Sequence, residues 1–289
     1  MSILFKKLVL GGGGMKGIMH VGALQELKKH QDLIFSDGVW GCSIGSIIGI
    51  LVAFELELKP ELISKYMDFD NVVEDIKFQD IRNVFGAKGL FTMNKFTETL
   101  TTLFKEEYDL DITTTKIGDS KMPLFIVASN ISKGVPTIFS NDVLLIDAIR
   151  CSCCIPLIYK PQELYGQLYV DGGLFAPYLC TLVPDGLHFV LTKKRSKRFS
   201  VDNLETIGPL DYMRSLYSMS MNQFYKFHRS EYSLELEYPK LFSDSSLEEF
   251  DIDDILNHSG KLLKSFLITK GFLKELTEVD YVRLADHLV

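Results

Sequence analysis

Short apolar runs bounded by glycine alternate along this chain with stretches of helical spacing. Residues 3–10, Ile-Leu-Phe-Lys-Lys-Leu-Val-Leu, read as a strand that enters the core at its end. Gly11 to Gly14 break it, and Met15 to His30 then place Ile18, Val21, Leu24 and Leu27 on one face, the signature of a helix. Leu33 to Trp40 predicts a second strand. Ile47, Ile48, Ile50, Leu51, Val52 and Phe54 follow as an apolar run that suits a buried helix. Strand, glycine loop, helix, strand, helix is the alternation of a parallel sheet.

The pattern then changes. Lys59-Pro60-Glu61 starts a helix, and amphipathic stretches follow at 61–68, 72–85 and 93–107, with a break at Gly86 to Gly89. Residues 59–116 therefore read as a helical insertion or cap. Strand signals return at Met122 to Ser129, Thr137 to Phe139, Leu168 to Val170 and Leu187 to Thr192, with a short helix at Asp147 to Cys151. Leu210 to Tyr232 predicts a long helix rich in Met, Tyr and Phe. Ser246-Leu247-Glu248-Glu249 has capping-box spacing ahead of a helix from Ile252 to Leu276. No repeat or linker divides the chain. The expectation is one α/β domain over residues 1–289, with a mainly parallel central sheet flanked by helices on both faces. A helical cap comes from the 59–116 and C-terminal segments.

Composition narrows the setting. The chain has 289 residues, 46% hydrophobic and 24% charged, which is ordinary for a globular protein with a sizeable core. A net charge of −7 argues against a general nucleic-acid binder. Cys42, Cys151, Cys153, Cys154 and Cys180 are odd in number and lack zinc-ligand spacing, so they read as reduced, buried thiols in a reducing compartment. No signal peptide precedes the first strand, and no apolar run approaches the ~20 residues of a membrane span. A cytoplasmic protein is expected, peripheral at membranes at most.

The candidate chemistry begins at Gly41-Cys42-Ser43-Ile44-Gly45, a G-x-S-x-G sequence between a predicted strand and a buried helix. Small residues on either side let a serine occupy a strained, exposed turn, so Ser43 is the candidate nucleophile. The competing reading is a tight turn before a core helix. Gly12-Gly13-Gly14-Met15-Lys16-Gly17 satisfies G-x-G-x-x-G, as a dinucleotide loop would, yet the acid required about 20 residues later is misplaced. Asp37 begins or interrupts the second strand, and the position of the ribose acid holds Gly41-Cys42-Ser43. Consecutive glycines at a helix N-terminus instead suit an oxyanion hole, whose amides must approach a carbonyl unhindered. Asp171-Gly172-Gly173 follows a predicted strand and offers a base at the same end of the sheet. Taken alone it is an ordinary turn.

Together these residues resemble the patatin-like phospholipases. Gly12-Gly13-Gly14-Met15-Lys16-Gly17 is similar to the family's oxyanion loop, Gly41-Cys42-Ser43-Ile44-Gly45 to its nucleophile elbow and Asp171-Gly172-Gly173 to its base motif. Ala148 to Pro156 looks like the stretch upstream of that aspartate. Order and spacing agree over residues 8–177; the recognisable core is 8–192, and 193–289 is a C-terminal part without a recognised motif. The resemblance implies a three-layer α/β/α fold and a lipid acyl hydrolase. In it Ser43 attacks an ester carbonyl, Asp171 takes its proton, and Gly12, Gly13 and Gly14 hold the oxyanion. Lys16, Gly17, Gly41, Gly45, Gly172 and Gly173 support the motifs, and no cofactor or metal is required. One departure is Phe175-Ala176-Pro177, where the family often has an asparagine.

Several alternatives stay open. A Ser–His–Asp triad would draw on His188 or His228, although neither lies in a sharp motif. His20 is expected to pack or orient the glycine loop, and Lys16 to be an exposed or helix-edge cation beside it. Lys193 to Arg198 is a solvated loop or a contact for anionic headgroups at a membrane surface. The substrate expected is a phospholipid or other acyl lipid. A catalytically silent lipid- or nucleotide-binding protein, or an acyltransferase using the same site, would carry the same motifs.

Overall fold

The computed structural model describes residues 4–62, 88–192, 205–208, 229–239, 241 and 250–274, with single positions between 212 and 225. The strands are β1 (Leu8–Leu10), β2 (Val39–Cys42), β3 (Gly89–Phe91), β4 (Leu124–Asn130) and β5 (Val135–Phe139) in the first half. Then come β6 (Leu157–Tyr159), β7 (Gln162–Leu164), β8 (Gln167–Asp171), β9 (Leu187–Leu191) and β10 (Ser233–Leu236). The principal helices are α1 (Ile18–Leu27), α2 (Ile44–Ala53), α3 (Asn94–Tyr108), α4 (Leu145–Ser152) and α5 (Ile252–Thr269).

Among the described residues the main sheet has eight strands in the order β10-β9-β1-β2-β4-β8-β7, with β5 also paired to β4. The block from β10 to β4 is parallel, as the strand–helix alternation implied; β5, β7 and β8 add antiparallel pairings beyond it. Side chains alternate between two packed faces. Leu8, Leu10, Ile126 and Ala128 enter the main core with α1 and α2, whereas Val9, Cys42 and Val127 pack beneath Ala176, Leu179 and Val183. Every residue of α2 is buried, as a helix apolar on all sides must be. By contrast α3 buries only Phe96, Leu100, Leu103 and Phe104, one stripe at helical spacing.

Several expectations shift. The second strand starts at Val39, not Leu33, because Gly38 at φ 101° makes a turn that Asp37 precedes. At the end of the break expected at Gly86 to Gly89, a strand that the pattern did not predict, Gly89–Phe91, pairs with β6 in a separate two-stranded ribbon. Tyr232 lies in a turn leading into β10 rather than in a helix, so the C-terminal part contributes a strand to the main sheet. The last helix stops at Thr269, closed by Gly271 at φ 76°, and is capped by Asp251, whose carboxylate accepts from the amides of Asp253 and Asp254. The capping-box residues 246–249 and the helical stretches at 63–68 and 72–85 lie outside the described residues.

Candidate active site

Ser43 sits between β2 and α2 at φ 54° and ψ −129°, a backbone conformation that a side chain rarely adopts. Such strain costs on the order of 1–3 kcal/mol and persists only where the surroundings enforce it. Here they do. A Cβ on Gly45 would stand 2.2 Å from the Leu10 carbonyl oxygen, and one on Gly41 would stand 2.5 Å from the Gly45 oxygen. The glycines of the G-x-S-x-G sequence thus let α2 start hard against β1. The Ser43 amide donates to Ser152 Oγ at 2.9 Å, and Ser46 Oγ donates to the Ser43 carbonyl at 2.6 Å.

Asp171 reaches this turn from the far side of β4. Cys42 pairs with Val127, and Ala128, the next residue of β4, pairs with Asp171. The carboxylate therefore lies level with Ser43 at the C-terminal edge of the parallel block. The expected end of the sheet is right, but β8 runs antiparallel to β4 and gets there by overlapping only Ala128 to Asn130. Asp171 Oδ1 accepts the Gly173 amide at 2.8 Å. Burial pushes its pKa up to about 6, while interactions with the Ser43 hydroxyl and the Gly173 amide pull the other way. The turn after it has no asparagine; Ser129 holds it instead, accepting the Phe175 amide at 3.0 Å and donating to the Gly172 carbonyl at 3.3 Å. Gly172 leaves no room for a side chain, since a Cβ would stand 2.4 Å from the Val127 oxygen.

The glycine loop closes the site from β1. A Cβ on Gly12 would lie 3.1 Å from Ser43 Cβ, so the backbone passes directly over the serine. The Gly11 amide is used by the Phe189 carbonyl, whereas among the described residues no protein acceptor takes the amides of Gly12, Gly13 or Gly14. Gly14–Gly17 forms a 3-10 turn that runs straight into α1. Gly17 packs on Ile44, with 2.2 Å to a hypothetical Cβ, joining the loop to the elbow helix.

Lys16 is not the exposed cation expected. It is only 2% exposed, and its Nζ donates to the Thr192 carbonyl at 2.9 Å and the Leu191 carbonyl at 3.4 Å. These carbonyls at and just past the end of β9 accept its hydrogen bonds, so it ties the glycine loop to the sheet. His20 orients that loop as expected. Its Nε2 lies 2.9 Å from the Gly11 carbonyl, which only accepts, so the proton is on Nε2. Burial holds the His20 pKa down to about 4.

The other expectations separate cleanly. His188 bonds the Asp185 carbonyl at 3.2 Å and packs on the second face of the sheet, not beside Ser43. His228 and Lys193 to Arg198 lie outside the described residues. Asp37 precedes β2, at the opposite end from the glycine loop, which leaves a dinucleotide without its ribose acid. All five cysteines are free and buried, and burial raises each thiol pKa, so Cys42 and Cys153 beside the serine are poor nucleophiles. Ser129 and Ser152 were not singled out by sequence; their roles depend on partners that only the fold brings near.

A strained serine, a carboxylate level with it and a loop whose amides meet no protein acceptor among the described residues, on a mixed α/β sheet, define a hydrolase-like class of site. A model of the patatin-like phospholipase family matches residues 8–182, well over half of the chain. The chain belongs to that family. A relative from Invertebrate iridescent virus 6, named "Probable lipid hydrolase 463L", is 26% identical over 285 residues, covering 92% of this chain and 89% of its own. Lysophospholipase NTE1 of Cryptococcus neoformans is 29% identical over 173 residues, which span 57% of this chain and 10% of that protein. Among solved structures, VipD from Legionella pneumophila shares the fold with a TM-score of 0.54 at 14% identity, over 93% of this chain and 67% of its own.

Proposed function

We propose that this protein hydrolyses fatty-acyl esters of phospholipids or related lipids through Ser43 and Asp171, by way of an acyl-enzyme. The observation that carries the reading is Ser43 at φ 54° beside a carboxylate whose pKa is raised to about 6. A base poised near the working pH combines a useful ionised fraction with proton affinity. Ser43 Oγ bonds to the ester carbonyl carbon while Asp171 accepts its proton. The tetrahedral oxyanion takes hydrogen bonds from amides of Gly12 to Gly14, each such donor being worth about 3 kcal/mol in enzymes of this kind. Collapse breaks the bond to the alcohol, which leaves with the proton from Asp171. Water then gives its proton to Asp171 and attacks the acyl-enzyme; collapse breaks the bond to Ser43 Oγ, which takes that proton back from Asp171, and fatty acid is released. No step draws on nucleic acid or a cofactor.

Residues 1–289 act as one domain in this reading, with β10 in the main sheet and α5 on α1 in support. Among the described residues no helix is long and apolar enough to cross a membrane. A cytoplasmic enzyme meeting bilayers transiently through Lys193 to Arg198 fits the substrate. Neutralising those cations should weaken binding to anionic vesicles, and unchanged binding would remove that role from them.

The test of the reaction is fatty-acid release from mixed phospholipid vesicles in EDTA. Wild type should release fatty acid, and Ser43→Ala and Asp171→Asn should each lose ~10⁴-fold while staying folded. Full activity in either variant refutes the dyad. Label on Ser43 from a fluorophosphonate separates an enzyme from a binding protein that kept the motifs.

A further inference from the structure

One short segment touches both halves of the candidate dyad. Ser152, the last residue of α4, is fully buried. Its Oγ accepts the Ser43 amide at 2.9 Å and donates to the Val127 carbonyl at 2.7 Å. Two residues on, the Cys154 carbonyl accepts the Asp171 amide at 2.7 Å. Between them, the Cys153 thiol packs against Ser46, Sγ to Oγ 3.9 Å, and beside Ser43 and Asp171. The two catalytic candidates come from strands separated by β4, and the tripeptide Ser152-Cys153-Cys154 spans that gap.

We infer that Ser152 is a positioning residue: its hydroxyl fixes the strained Ser43 backbone to β4 and so sets the separation of nucleophile and base. The inference rests on the dyad reading above. A hydroxyl is required because one side-chain oxygen must accept from Ser43 and donate to Val127 at once. Alanine does neither and leaves the Ser43 amide and Val127 carbonyl without that partner. Freed of this bond, the elbow has less to hold it at φ 54°, and displacements of about 1 Å cost up to ~10²-fold in rate. Ser152 is fully buried and offers no surface to a substrate, so the loss belongs in kcat and not in KM.

The experiment compares fluorophosphonate labelling and ester turnover in wild type, Ser152→Ala, Ser152→Cys and Ser152→Thr, each normalised to folded protein. Ser259→Ala serves as the control, since it removes a buried helix bond from Oγ to the Ile255 carbonyl far from the dyad. Ser152→Ala should label and turn over ~10–100-fold more slowly with KM unchanged. Ser152→Cys, whose thiol is a weaker donor and acceptor, should fall between, and it carries the test if the alanine variant does not fold. Ser152→Thr keeps the hydroxyl and should recover most of the rate, while Ser259→Ala should lose stability alone. Labelling at the wild-type rate in Ser152→Ala or Ser152→Cys would overturn the inference. So would a rate that merely tracks stability, as in the control. Wild type that neither labels nor turns over fails the dyad reading itself, a different and distinguishable result.

Discussion

At the scale of single residues, Asp171 joins activity to stability with opposite signs. As a base it works only when ionised, so kcat/KM should fall about tenfold per unit below pH ~6 and level off above it. Fatty-acid release between about pH 4.5 and 8.5 checks this, and a flat profile would rule Asp171 out as the base. Its folded pKa, about 6, lies above the ordinary 3.8, so the fold binds its proton more tightly than the unfolded chain. The stability this contributes is complete below pH 3.8 and is lost as pH rises through 6. Asp171→Asn should therefore be more stable than wild type at pH 8, by on the order of 3 kcal/mol, and equal to it near pH 3.5. Urea titrations at the two pH values read the difference directly.

At the scale of elements, close backbone approach decides which substitutions matter. A Cβ on Gly22 of α1 would stand 2.6 Å from the Leu256 carbonyl of α5, so Gly22→Ala must push the two helices apart. It should cost about 1–3 kcal/mol and leave the labelling rate of folded molecules unchanged. Gly45→Ala, with its 2.2 Å approach to β1, should damage stability and labelling together. Equal effects from both would break this distinction. The same contacts explain what was legible in the chain. Gly41, Gly45, Gly12 and Gly172 announce tight approaches by their type alone, and they outlined the site. The direction of β8 was hidden, because alternation of apolar residues looks the same read either way. Short strands such as β3, β6 and β7, three residues each, give too little pattern to register. Ser152 lies within a motif, but its partner Ser43 is 109 residues away, a relation no local spacing encodes. The exposed reading of Lys16 failed because its carbonyl partners lie at the end of a distant strand.

At the scale of the whole molecule, buried histidines set how the fold meets acid. His20 and His188 both have folded pKa values lowered to about 4 by burial, against 6.5 ordinarily. The unfolded chain therefore binds protons first, and stability is lost as pH falls from 6.5 through 4. Each histidine accounts for roughly 2–3 kcal/mol over that window. Glu26 and Asp185, whose lowered pKa values reflect ties to Lys29 and Lys7, act in the same direction at the acid end. Asp171 opposes them, gaining its proton as pH drops through 6, but one carboxyl does not offset two histidines. The net expectation is a stability maximum near neutrality and a steep decline below pH 6. A second proton on His20 would fall on Nδ1, which has no partner among the described residues, next to the Lys16 charge. Acid should therefore strain the glycine loop by placing a buried charge on His20 beside Lys16, even though the Nε2 bond to Gly11 itself favours the charged ring. Urea midpoints measured from pH 7 to 4 should fall in wild type and fall less steeply in His20→Gln and His188→Gln, by close to one proton each. If the wild-type midpoint stays flat across that range, the buried neutral histidines do not govern the acid limit.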